Sequence, residues 1–166
     1  MANETVQNFR VRVTLEAVVI GSDGARAVVL REYDKSFGDG TSANNLQWVW
    51  NDETRALATT NETLDLDGNV DFKGVALSDA VNVKVLWIED LGSTTGQQLN
   101  IGGGDFASAT GPLVDTTDLM VCQAGGLVLM IAPVDGYPIT ASTGDGLKIT
   151  SNASMNYRIT LAGDNT

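Results

Sequence analysis

Histidine is absent from all 166 residues, and the rest of the reactive inventory is thin: one cysteine, three prolines, and aromatic side chains at only 6%. Without imidazole, neither a Ser-His-Asp nor a Cys-His arrangement can be assembled, and His-ligated zinc or iron sites are excluded with them. The side chain that most often moves protons near neutral pH is missing too. The single Cys122 has no internal disulfide partner; in Leu119-Met120-Val121-Cys122 it reads as a small buried core residue. Long apolar runs are lacking as well. The longest, Leu127 to Ala132, is far too short to span a bilayer, and the start Met1-Ala2-Asn3-Glu4-Thr5-Val6 shows no basic-then-apolar secretory signal. No membrane partner is expected.

Basic charge is scarce, with ten Lys and Arg against 21 Asp and Glu and a net charge of −11. It is also unevenly placed. Arg10, Arg12, Arg26, Arg31 and Lys35 balance five acidic side chains within residues 1–35, so the net charge falls entirely on residues 36–166, which carry five basic and sixteen acidic groups. A surface this acidic repels phosphate backbones, which predicts no nucleic-acid partner. Self-repulsion of the same charges favours solubility. The neutral N-terminal segment reads as the face presented to a partner, and the acidic remainder as the face turned to water.

What the chain does contain is glycine, 18 of them, and short strands cut by turns. Phe9, Val11, Val13 and Leu15 alternate with Arg10, Arg12, Thr14 and Glu16, a period of two with one apolar and one polar face. Gly21-Ser22-Asp23-Gly24 turns the chain, and Ala25 to Tyr33 reads as the returning hairpin strand. Leu46 to Trp50 is a short aromatic strand, with weaker candidates at Arg55 to Thr60 and Thr63 to Leu66. Val81 to Ile88 is the clearest strand, with Val81, Val83, Val85 and Trp87 on one face and Asn82, Lys84, Leu86 and Ile88 on the other. Gln98 to Ile101, Leu119 to Cys122, Leu127 to Ala132, Leu147 to Thr150 and Tyr157 to Leu161 follow. Only Phe72 to Asp79 could hold a helical turn, and Gly74 counts against it. The expectation is a single all-β domain over residues 1–166, a jelly-roll-like antiparallel sandwich of about ten short strands, with residues 1–8 as an extended N-terminal arm.

Candidate chemistry is sparse. Gly102-Gly103-Gly104 is followed by Asp105-Phe106 instead of the Lys-Ser/Thr of a phosphate loop, so it reads as a turn. Asp65, Asp67, Asn69 and Asp71 place oxygens at alternate positions, as Ca²⁺ requires, yet Val70 and Ala76 stand where an EF-hand needs Gly and Glu. An ordinary Asp-Gly turn is the preferred reading, with no metal and no cofactor expected. Asp52, Glu53, Glu89 and Asp90 could supply paired carboxylates beside a platform of Trp48, Trp50 and Trp87. Solvated surface and core tryptophans explain the same residues without invoking an enzyme.

The runs Asp65-Leu66-Asp67-Gly68, Val81 to Ile88 with its central Lys84, Leu99 to Gly103, Ala124 to Tyr137 with Gly125-Gly126 and Pro133, Thr143 to Ile149, and Tyr157 to Gly163 resemble, in that order, a family of small tailed-bacteriophage virion proteins. The resemblance covers about residues 46–163, and departs at Cys122 and Gln123, where it implies a basic residue. It implies a non-enzymatic virion structural protein made in the host cytoplasm. Capsid decoration is the implied role: binding the outer head surface, bridging subunits of the major capsid protein, and forming a homotrimer or homodimer. Phe9, Arg10 and Arg12 are the expected partner-interface residues, on the charge split near residue 35. The alternatives are a tail, neck or fibre component, or a carbohydrate-binding β-sandwich module.

Overall fold

β-branched and aromatic residues at every second position make strands throughout, and no described segment is helical. The computed structural model describes residues 6–20, 22–40, 42–58, 60–68, 80–104, 106, 113, 115 and 117–165. The expected helical turn at Phe72 to Asp79 lies outside them. Twelve strands occur among the described residues: β1 (Phe9–Ile20), β2 (Arg26–Asp39), β3 (Asn45–Leu46), β4 (Trp48–Leu57), β5 (Asn61–Asp65), β6 (Asn82–Asp90), β7 (Gln98–Gly102), β8 (Leu119–Gln123), β9 (Leu127–Ile131), β10 (Tyr137–Pro138), β11 (Gly146–Ser151) and β12 (Met155–Asp164). The weak candidate at Arg55 to Thr60 is in fact the end of β4, which runs unbroken from Trp48 to Leu57.

Eight of these strands form the body by nested antiparallel pairing. β7 pairs with β8, β6 with β9, β5 with β11 and β4 with β12, so the chain folds back on itself as one long double ribbon. Rolling that ribbon gives two facing sheets, ordered β4-β12-β6-β9 and β5-β11-β7-β8, with β10 added at the start of β6. This is jelly-roll topology, in which every strand but the outermost finds partners on both sides. Between the sheets lies the main core, where Trp48, Trp50, Leu86, Ile88, Leu99, Ile101, Ile149, Tyr157 and Ile159 are buried. Each buried large aliphatic side chain contributes about 1.5–3 kcal/mol relative to exposure.

β1 and β2 stand outside the roll as a two-stranded ribbon, in register from Phe9 opposite Phe37 to Ile20 opposite Arg26. Its foot packs on the outer face of the β4-β12-β6-β9 sheet. There Val11, Phe37 and Leu46 form a second core with Val85 and Ala162, joined by Val49, Leu129 and Ile131. The Phe9 and Phe37 rings meet edge to face, with centroids 5.8 Å apart. A third layer is therefore added over one end of the sandwich only.

The expected alternation along β6 fails at Lys84. Ala162 lies opposite Val85 and Gly163 opposite Val83, so Lys84 is an extra residue on β6, a β-bulge that shifts the phase of the strand. Val83 and Leu86 both turn to the main core, while Val85 turns to the second one. Lys84 itself is fully buried: its Nζ lies 2.6 Å from Asp164 Oδ2 and donates to the carbonyls of Ser42 at 3.2 Å and Asn45 at 3.1 Å. Asp164 Oδ1 accepts from Asn82 Nδ2 at 2.8 Å, and the Asp164 carbonyl accepts from Trp48 Nε1 at 3.1 Å. Gly163 next to it touches the strand so closely that a Cβ would run into the Asn82 carbonyl. Lys84→Met leaves the Asp164 carboxylate buried without its cation, and urea denaturation should show a loss of about 3–5 kcal/mol. Adding Asp164→Leu should recover most of that loss, since the orphaned charge is then removed as well.

Candidate functional site: a ribbon arm and its foot

The ribbon changes character along its length. At the foot, Val11 and Phe37 are buried; beyond it, every described residue from Thr14 to Ile20 and from Arg26 to Asp34 is exposed. Direct cross-strand partners share a face. The odd-numbered face thus carries Val13, Leu15, Ala17 and Val19 with Tyr33, Val29 and Ala27, and it continues the buried face of the foot out into solvent. The even-numbered face is polar near the foot, with Arg10, Arg12, Glu32 and Asp34, and largely apolar toward the tip, where Val18, Ile20, Val28 and Leu30 are flanked by Glu16 and Arg26. Leu15 is 59% and Ile20 70% exposed. At about 3.3 Å per residue, the exposed part is an arm roughly 20 Å long.

Arg10 and Arg12, two of the three expected interface residues, lie on the even face and both pair with Asp34, Arg12 at 2.8 Å. The Arg10 guanidinium first, and then that of Arg12, holds the Asp34 carboxyl far below the usual carboxylate range. The third, Phe9, is half-buried against the second core and also lines the groove at the foot of the ribbon. Of the expected extended segment 1–8, residues 1–5 lie outside the described residues, and Val6 packs against the second core with its amide donating to Asp39 Oδ1 at 3.1 Å. The foot and the sheet beneath it enclose a groove of about 330 Å³ bordered by Arg10, Arg12, Trp87, Arg158 and Thr160.

The other expected sites resolve into structure. Trp48 and Trp50 are buried in the main core, so of the imagined sugar platform only Trp87 stands on the outer face. Glu53 and Glu89 both hold Arg158, each at 2.7 Å, and Asp52 and Glu62 hold Arg55 at 3.3 and 3.0 Å. Carboxylates bound in this way are not a free acid and base pair. Asp65 Oδ1 accepts from the amides of Asp67 at 3.1 Å and Gly68 at 2.8 Å, which makes it a turn residue; Asn69 and Asp71 lie outside the described residues. Gly102 takes a φ of +120° where a side chain would strike the Asp118 carbonyl, so the glycine run serves a close turn.

Three buried groups complete the body. The Tyr157 hydroxyl donates to Glu62 Oε1 at 2.6 Å. Burial first, and then that bond, pushes its ionisation well above an ordinary tyrosine. Cys122 is buried, and its thiol is pushed up by desolvation. Nearby Asp90, also buried, accepts from the Gly92 amide at 2.7 Å through Oδ1, while Oδ2 has no hydrogen-bond partner among the described residues.

The arm is what sequence reasoning missed. Val18-Val19-Ile20 and Val28-Val29-Leu30 have the composition of buried strands, and only their distance from the body makes them a surface. No family model, curated protein or solved structure matches the chain.

Cys122 should resist alkylation by iodoacetamide in the native protein at neutral pH and react once the chain is unfolded. For Tyr157, the folded-state ionisation lies above the unfolded one, so its stabilisation is complete below about pH 10 and fades as pH rises beyond. Urea midpoints measured across that alkaline range should fall more steeply for the wild type than for Tyr157→Phe.

Proposed function

We propose that this chain is a non-enzymatic virion structural protein of a bacteriophage, one that decorates the outer surface of the head and bridges subunits of the major capsid protein. The observation that carries the reading is the arm: eight exposed large apolar side chains, Leu15, Val18, Val19, Ile20, Val28, Val29, Leu30 and Tyr33, on one projecting ribbon. An apolar surface of this extent marks a protein-binding element. The body supports the same reading. Its jelly roll is an architecture that viral capsid and lectin proteins share, although the fold alone assigns no role.

Adhesion on a lattice of identical sites needs little affinity per contact, because an oligomer that engages several sites at once multiplies weak contacts into tight retention. The groove at the foot of the arm, with Arg10, Arg12 and Trp87, is the surface assigned to the capsid. Burial of Trp48 and Trp50 leaves too little aromatic surface to favour a carbohydrate-binding module.

The test is co-sedimentation of the purified protein with heads assembled from the major capsid protein encoded in the same genome. Wild-type protein should sediment with the heads and raise their melting temperature, and the Arg10→Ala/Arg12→Ala double variant should bind at least tenfold more weakly. Failure of the wild type to sediment would reject the decoration role, whereas full binding by the double variant would reject only the assignment of the foot.

A further inference from the structure

Apart from the capsid contact assigned to the foot, and resting on the same reading of the arm as a protein-binding element, we propose that the distal arm is an oligomerisation element whose occupant is a second copy of this chain. The odd-numbered face docks on the acidic body of the other copy, and the apolar even-numbered tip packs against its own equivalent. Three observations lead there.

The first is that the distal ribbon is bare on all sides. An isolated two-stranded ribbon is marginal in water, yet β1 and β2 continue together for seven rungs, Thr14–Glu32 to Ile20–Arg26, in which both residues are exposed. Both faces toward the tip carry apolar area, Val19, Val29 and Ala27 on one and Val18, Ile20 and Val28 on the other, with Arg26 opposite Ile20 at the last rung. A single flat partner covers one face and leaves the other wet. Reciprocal exchange between two copies covers both.

The second is charge. On the odd face the only ionic side chains are Arg31 and Lys35, and neither makes an ion pair among the described residues. The even face, by contrast, balances its charges: Arg10 and Arg12 pair with Asp34, with Glu32 beside Arg12, and Arg26 shares the face with Glu16. The odd face is therefore apolar and cationic, which fits an acidic protein surface. Residues 36–166 supply one, with sixteen acidic groups against five basic ones. Three of those five cations, Arg55, Lys84 and Arg158, are bound to carboxylates within the body, so little positive charge is left to oppose the arm. A stiff ribbon rooted on its own body points away from it. The acidic surface it meets belongs to another copy.

The third is size. A ribbon face about 20 Å long and 10 Å wide, covered on both sides in a reciprocal pair, gives a total buried area on the order of 1,200 Å², the lower range of stable protein–protein interfaces. The contact is isologous and closes on itself, as a two-fold pair requires.

Sedimentation velocity of the purified protein, with no capsid present, tests this. The wild type should associate, more weakly as salt rises. Val19→Lys/Val29→Lys should be monomeric, and Arg31→Glu should weaken association at least tenfold, with circular dichroism unchanged in both. Hydrogen exchange on the unmodified chain gives a readout independent of variant folding: amides of residues 15–20 and 27–33 should slow as protein concentration rises. A wild type that stays monomeric up to its solubility limit overturns the proposal. So does an oligomer that survives Val19→Lys/Val29→Lys, or arm amides whose exchange ignores concentration. Capsid binding or its failure moves none of these results.

Discussion

The ion pair between Lys84 and Asp164 is the constraint on which the rest of the molecule depends. An ammonium has three protons to place, and here three acceptors take them: the Asp164 carboxylate and the carbonyls of Ser42 and Asn45. Burying an unsatisfied charge would cost several kcal/mol per ion, so the pair is tolerable only because its donors are all used. The four groups come from separate parts of the chain: the loop after the ribbon, β3, the bulge of β6 and the last residue of β12. Replacing the pair by well-packed apolar residues could hold the body together equally well. It would not specify where the segment between β2 and β4 must lie, and that segment fixes where the ribbon leaves the body.

A foot anchored in this way permits an arm that has no anchor of its own. Val11, Phe37 and Leu46 share one small core with Val85 and Ala162, and the bulge at Lys84 is what turns Val85 toward it. Beyond the foot, register is held by the ladder itself and by the cluster of Arg10, Arg12 and Asp34 across the even face. Exposed ion pairs contribute little to overall stability. Their effect here is local: a carboxylate held between two guanidiniums stays ionised far into acid, so the base of the ribbon keeps its polar face over a wide pH range. The opposite face is left to make contacts elsewhere.

Much of the fold was legible in the sequence because period-two patterns survive wherever one face is buried and the other is not. The ribbon strands, β6, β11 and β12 follow from such patterns, and glycine and asparagine mark most of the turns. The nested pairing was not legible residue by residue, since β4 meets β12 across about a hundred positions and local propensity carries no information on that distance. Lys84 misled for a different reason. A lone lysine in an apolar strand reads as the polar face, and only the bulge opposite Gly163 shows that it turns toward a buried carboxylate. Trp48 and Trp50 read as core or interface anchors in preference to a sugar platform, and the main core between the sheets takes both. The expected interface residues Phe9, Arg10 and Arg12 all border the groove at the foot of the ribbon. Phe9 serves the foot and the arginines serve the ribbon, while the exposed apolar positions 15–20 and 28–33 were hidden by their likeness to core strands.

The charge split visible at residue 35 takes on a physical meaning once the arm is in view. A ribbon with free edges and apolar faces is a template for indefinite stacking, and a chain that carried it without restraint would aggregate. Two odd faces brought together would place Arg31 and Lys35 against like charges, which disfavours arm stacking on arm through that face. Two bodies brought together meet sixteen acidic groups on each side, which disfavours body on body. Only the odd face on an acidic surface removes both penalties while covering apolar area. In the proposed pair, the locally cationic arm and the acidic roll are complementary: the apolar residues supply the attraction, and the separation of charge along the chain selects the surfaces that use it.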